Sequence, residues 1–126
     1  MRWRVMHKII MVVIVMMVGA LAGIQGAGFG IDRSRIRPRI ITPNDDGRND
    51  TFWVFYQNPL DSEVTGEIFD CEGAKVADMT HKNGAEEYSL CWDGTDGSGR
   101  VVPAGVYIYQ ITAEDSVFNG TVVVAR

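Results

Sequence analysis

From residue 51 onward, apolar and polar positions alternate with a period of two, in short runs broken by clusters of Gly, Asp, Asn and Pro. In an extended chain that period sends neighbouring side chains to opposite faces. The runs at 51–56, 64–69, 74–79, 87–92, 105–113 and 117–125 read as strands, and the apolar pair Ile40-Ile41 closes another. About seven strands, with turn signals at the spacing typical of sandwiches, predict an all-β, antiparallel β-sandwich. The stretch from Trp92 to Ile111 is the most telling. Trp92, Asp93 and Gly94 open a turn rich in Gly, Asp and Ser, because Gly takes positive φ and Asp bonds its own backbone. After Gly105 both faces of the run are largely apolar, which predicts a strand buried on both sides or central in a sheet. Asp70-Cys71-Glu72-Gly73 reads as a hairpin turn, and Asn119-Gly120 as a bend in the last strand.

The first thirty residues follow a different pattern. Arg2, Arg4 and Lys8 precede an apolar run from Ile9 to Leu21, and Ala20-Leu21-Ala22 offers a small-x-small cleavage site. That order describes a secretory signal peptide over 1–22, with a second cut available near Ala27. The run is short for a membrane span, which takes about 20 apolar residues. The alternative is an uncleaved inner-membrane anchor, the one route by which this chain would touch a membrane. Residues 23–38 read as a linker and 39–126 as the domain. In the linker Arg33, Arg35, Arg37 and Arg39 recur at every second position, so an extended chain would align them on one side. Such a stripe is either a site for an anionic envelope polymer or lipid, or a solvated tether.

Charge and residue inventory narrow the function. The chain carries a formal charge of −4; without Arg2, Arg4 and Lys8, nine basic residues face sixteen acidic ones, a charge of −7. That excludes nucleic acid as a partner, since phosphates need a basic surface. Beyond the leader only His81 is a histidine, and neither cysteine has a neighbour at C-x-x-C spacing. Nucleophilic triads and zinc sites therefore lack their parts, and the chain is expected not to be an enzyme. Asp93 and Asp96 read as turn formers rather than a glycosidase pair. Export permits a disulfide between Cys71 and Cys91, the alternative being two small core residues. The 42–52 loop is dense in oxygen donors. An EF-hand register fails there, with Thr42 at the first ligand position and Trp53 where Glu belongs. A looser calcium loop through Asn44, Asp46, Asn49 and Asp50 is the one cofactor candidate, against a cluster of Asx-turns.

Four motifs in order carry a family resemblance. Thr42-Pro43-Asn44-Asp45-Asp46-Gly47-Arg48-Asn49-Asp50-Thr51-Phe52 resembles the opening of gliding-motility-associated C-terminal domains. The hairpin from Ile68 to Val76 resembles that of FlgD-type Ig-like domains. Trp92-Asp93-Gly94, with Val102-Pro103-Ala104-Gly105-Val106-Tyr107-Ile108-Tyr109, matches a signature of both, and the stretch from Gly120 to Arg126 is similar to their closing strand. Over 39–126 the resemblance implies an Ig-like sandwich of exported bacterial proteins. Its gliding-motility branch implies a C-terminal sorting domain for export across an outer membrane; its flagellar branch belongs to the hook-capping protein, a role not carried over here because no flagellar assembly sequence flanks the domain and such proteins are not expected to carry this kind of signal peptide. The middle hairpin, Phe69 to Gly73, lacks the N-R-W-G of the gliding branch and leans to the FlgD type. The sorting domains usually end long proteins, whereas only a leader and linker are read ahead of this one. The expectation is therefore a non-enzymatic exported module. It would be periplasmic, on the outer surface or extracellular, and would bind a protein or an envelope polymer. The alternative is a sorting domain from a truncated or split protein.

Overall fold

The structure, a computed structural model, describes residues 28–82 and 84–126. Among the described residues eight strands form two sheets. They are β1 (Gly30–Ile31), β2 (Ile40–Ile41), β3 (Phe52–Gln57), β4 (Val64–Phe69), β5 (Lys75–Asp78), β6 (Ser89–Trp92), β7 (Gly105–Ala113) and β8 (Ser116–Val124). One sheet has the order β1-β3-β6 and the other β2-β8-β7-β4-β5. The sandwich expected from the alternating pattern is present, with one departure: β2 runs parallel to β8, while every other pairing between strands is antiparallel.

The core lies between the sheets. Phe52, Val54, Leu90 and Trp92 from the three-stranded sheet meet Ile41, Ile68, Ile111, Val122 and Val124 from the other. Aromatic pairs cross the gap, Phe52 with Tyr109 at 5.1 Å and Trp92 with Tyr107 at 5.4 Å between ring centroids. The long β7 is central in its sheet, as its composition predicts. It is buried on one face only: Tyr107, Tyr109, Ile111 and Ala113 point inward, and Val106 on the other face is 45% exposed. The hairpin at 70–73 forms as expected, with Asp70 accepting the Glu72 and Ala74 amides and Gly73 at φ 84.

No bend occurs at Asn119-Gly120. β8 stays in register with β7 along its whole length, and Gly120 leaves room for the Tyr109 ring that lies across it. On its outer side β8 is paired only at its end, where β2 meets Val123 and Val124. The edges at β1 and β2 are two residues long, a length that discourages further pairing. The chain passes between the sheets at one corner. Met79 N bonds Gly66 O at 2.8 Å, and the next residue, Thr80, exchanges both backbone bonds with Cys91 of β6.

Part of the expected linker belongs to the domain. β1 pairs with β3, Phe29 packs on Tyr56 and Phe118, and Ile36 is buried. The stretch from Arg33 to Arg35 is a single 3-10 turn opened by Asp32, which breaks the alternation that would have aligned the four arginines. The leader and the 23–27 part of the linker lie outside the described residues, as does Asn83.

Candidate functional site

The motifs that carry the resemblance converge on one end of the sandwich. The loop after β2 is closed by its own polar groups. Thr42 N bonds Asn49 O at 2.7 Å, and Asp50 accepts the amides of Asn44 at 3.1 Å and Gly47 at 2.7 Å. Asn44 accepts Asp46 N and Asp46 accepts Arg48 N. Asp45, Gly47 and Asn49 take positive φ, which Gly and the short polar residues tolerate best. The four calcium candidates therefore satisfy backbone donors or hold the turn. Among the described residues no group of three Asp, Glu, His or Cys side chains is placed to hold a metal. Of the two readings of this loop, a looser calcium site through Asn44, Asp46, Asn49 and Asp50 or a cluster of Asx-turns, the bonds made here by Asn44, Asp46 and Asp50 are those of Asx-turns.

The turn after β6 is built the same way. Asp93 accepts the amide and hydroxyl of Thr95, and Asp96 accepts the amides of Ser98 and Arg100 and the Ser98 hydroxyl. Those bonds hold the Asp96 carboxyl below its ordinary pKa, led by the Ser98 hydroxyl. A glycosidase acid needs the opposite shift. Trp92 is buried and donates its indole N–H to Thr95 O at 2.8 Å, so it is a core residue with a tied polar end. Val102 N bonds Gly94 O at 2.9 Å, and Tyr107 donates its hydroxyl to Pro103 O at 2.7 Å. Gly105 sits at φ 159, near-extended backbone at the start of β7.

Gly94 joins the two loops. At φ 79 it sits directly against Pro43: an added Cβ would lie 2.9 Å from Pro43 Cγ and 3.4 Å from Ile41 Cδ1. The sequence marks both residues as turn formers but gives no sign that they meet across 51 positions.

The cysteines do not form the expected bridge; both are free. Cys71 is exposed in the β4–β5 turn, with its thiol against Val106 O, on the five-stranded sheet. Cys91 is buried on β6 of the other sheet, 3.9 Å from Thr80 Oγ1. His81, Cys91, Asp93 and Asp96 do line one depression of about 730 Å³. Burial pushes the Cys91 thiol pKa up, which disfavours the thiolate a nucleophile requires.

No curated protein matches the chain. One solved structure, CopC from Methylosinus trichosporium OB3b, is similar at 14% identity with a TM-score of 0.39, over 60% of this chain and 74% of that one. The family model of the CHU_C Type IX secretion signal domain matches residues 35–124, from the 3-10 turn to the end of β8. Of the two branches the motifs resemble, this is the secretion branch, despite the FlgD-like hairpin. The chain belongs to the CHU_C family of type IX secretion signal domains.

Proposed function

We propose that residues 28–126 act as a folded sorting domain, recognised as a whole by an outer-membrane export machinery and carrying an attached protein to the cell surface or medium. The observation that supports this most is the extent of the family match, which spans nearly all of both sheets. The geometry is compatible with it. Gly28 lies beside Glu114 at the β7–β8 turn, whereas Arg126 reaches Val102 at the opposite end, among the family motifs. A protein joined ahead of residue 28 would leave that motif-bearing end open. The reading needs no catalytic step and no cofactor; its partner is a protein of the machinery.

The test is a fusion. Residues 28–126 are placed after a periplasmic reporter enzyme in a bacterium that has type IX secretion. The reporter should appear on the surface or in the medium, and a secretion-null strain should hold it in the periplasm. A reporter retained equally in both strains would refute sorting and restore the standalone exported module.

A further inference from the structure

The outward face of the three-stranded sheet holds a groove to which the family motifs contribute only Asn49. β3 alternates Phe52, Val54 and Tyr56 into the core, which turns Trp53 and Phe55 outward. Their rings lie 6.1 Å apart and within 17° of parallel. The Arg35 guanidinium covers Phe55 at 4.0 Å from the ring centroid and pairs with Glu86. Trp53 is thus the aromatic surface left to a ligand. Arg37, Pro38 and Asn49, with Ala85 and Glu86, complete a groove of about 460 Å³. That volume is within the range of small-molecule sites.

We propose that this groove binds a saccharide bearing a carboxylate, with a pyranose C–H face on Trp53 and the carboxylate on Arg37. The proposal goes beyond the sorting function and does not rest on it. A sugar ring is apolar on its faces and ringed by hydroxyls. Trp53 offers the apolar surface, while Arg37 and Asn49 donate and Asn49 and Glu86 accept hydrogen bonds. Charge selects the acidic sugar. Arg35 is neutralised by Glu86, but Arg37 has no ion-pair or side-chain hydrogen-bond partner among the described residues. Guanidinium and carboxylate match as a planar, two-bond pair. A peptide added as a strand fits less well: Arg37 and Trp53 already exchange both backbone hydrogen bonds, at 3.0 and 3.1 Å. Asn49 is set beside the groove by its left-handed backbone, φ 52, and by the Thr42 amide on its carbonyl.

The experiment is a calorimetric titration of the purified protein with trigalacturonate, with cellotriose as the neutral match and a proline-rich peptide as the other occupant of an aromatic groove. Trigalacturonate should bind, and cellotriose about tenfold more weakly. Trp53→Ala and Arg37→Gln should each weaken trigalacturonate about tenfold. The exposed Arg37→Gln change keeps the β3 pairing, so it decides the matter if Trp53→Ala does not fold. The proposal is overturned by absence of heat with trigalacturonate, by equal affinity for both sugars, by indifference of Arg37→Gln, or by tighter binding of the peptide.

Discussion

The Pro43–Gly94 contact can be tested by adding one methyl group. Gly94→Ala imposes two costs. The first is the left-handed backbone at φ 79, worth about 1–2 kcal/mol for a residue with a Cβ. The second is steric: the new Cβ would lie 2.9 Å from Pro43 Cγ and 3.1 Å from its Cβ. A proline ring is fixed to its own backbone and cannot swing away, so relief requires one loop to move. Overpacking of this kind costs about 1–3 kcal/mol. Gly99→Ala isolates the first cost, because Gly99 has φ 85 and nothing within 4 Å of an added Cβ. The loss of glycine entropy in the unfolded chain is common to both variants and cancels. In urea denaturation Gly94→Ala should therefore be less stable than Gly99→Ala by about 1–3 kcal/mol, and each kcal/mol lowers the melting temperature by roughly 4–8 °C in a domain of this size. Pro43→Ala removes the nearer atom. In that background the penalty for Gly94→Ala should shrink by at least about 0.5 kcal/mol, the scale expected of residues in contact. Equal losses at Gly94 and Gly99, or an additive cycle with Pro43→Ala, would refute the idea that these loops lock at this point.

Three further outcomes follow from the bonding. Asp50→Ala removes the acceptor for two amides and should cost about 1–2 kcal/mol in urea denaturation, with Asp50→Asn, which keeps one oxygen, losing less. Thiol titration of the unreduced protein should find two free thiols, the exposed Cys71 reacting at once and the buried Cys91 only on unfolding; an unreactive pair in denaturant would mean a disulfide. Burial raises the pKa of Tyr109 and Tyr56, so their contribution to stability is fully present below the unfolded value, about 10, and is lost as pH rises through the folded values. The melting temperature should fall above about pH 10, and less steeply in Tyr109→Phe.

What was legible in the sequence was local. Strand positions from Phe52 to Val124 follow from period-two burial, and the turn at Gly73 from glycine's tolerance of positive φ. What was hidden depends on where distant segments meet. The stretch from Phe29 to Pro38 reads as a tether because its arginines and Pro38 resemble solvated chain, yet Ile36 is buried and Arg37 pairs with Trp53. The parallel β2–β8 pairing has no local signal, as the partners are more than eighty positions apart. The same limit applies to the candidate sites. Oxygen-rich spacing cannot tell ligands from Asx-turns until the amide positions are known. Two cysteines at strand ends cannot be paired before the strands are assigned to sheets. Trp53 and Phe55 were detectable, because the alternation that buries Phe52 and Val54 forces them outward.

The family resemblance is borne mostly by residues that hold the fold. Trp92, Val102 and Tyr107 are buried, and Gly94 is buried against Pro43. Asp50, Asp93 and Asp96 bond to backbone amides. A partner cannot grip side chains that are enclosed or turned onto their own backbone. These residues would therefore influence recognition through the shape they impose on the end of the sandwich, and contact would fall to the exposed positions on the same loops, among them Asp45, Arg48, Ser98 and Arg100. The two groups should separate by assay. Gly94→Ala should reduce export of a fused reporter in proportion to lost stability, whereas Arg48→Glu and Arg100→Glu together should leave the melting temperature nearly unchanged and still reduce export. Export that followed stability alone across both kinds of variant would show that the machinery does not contact this end.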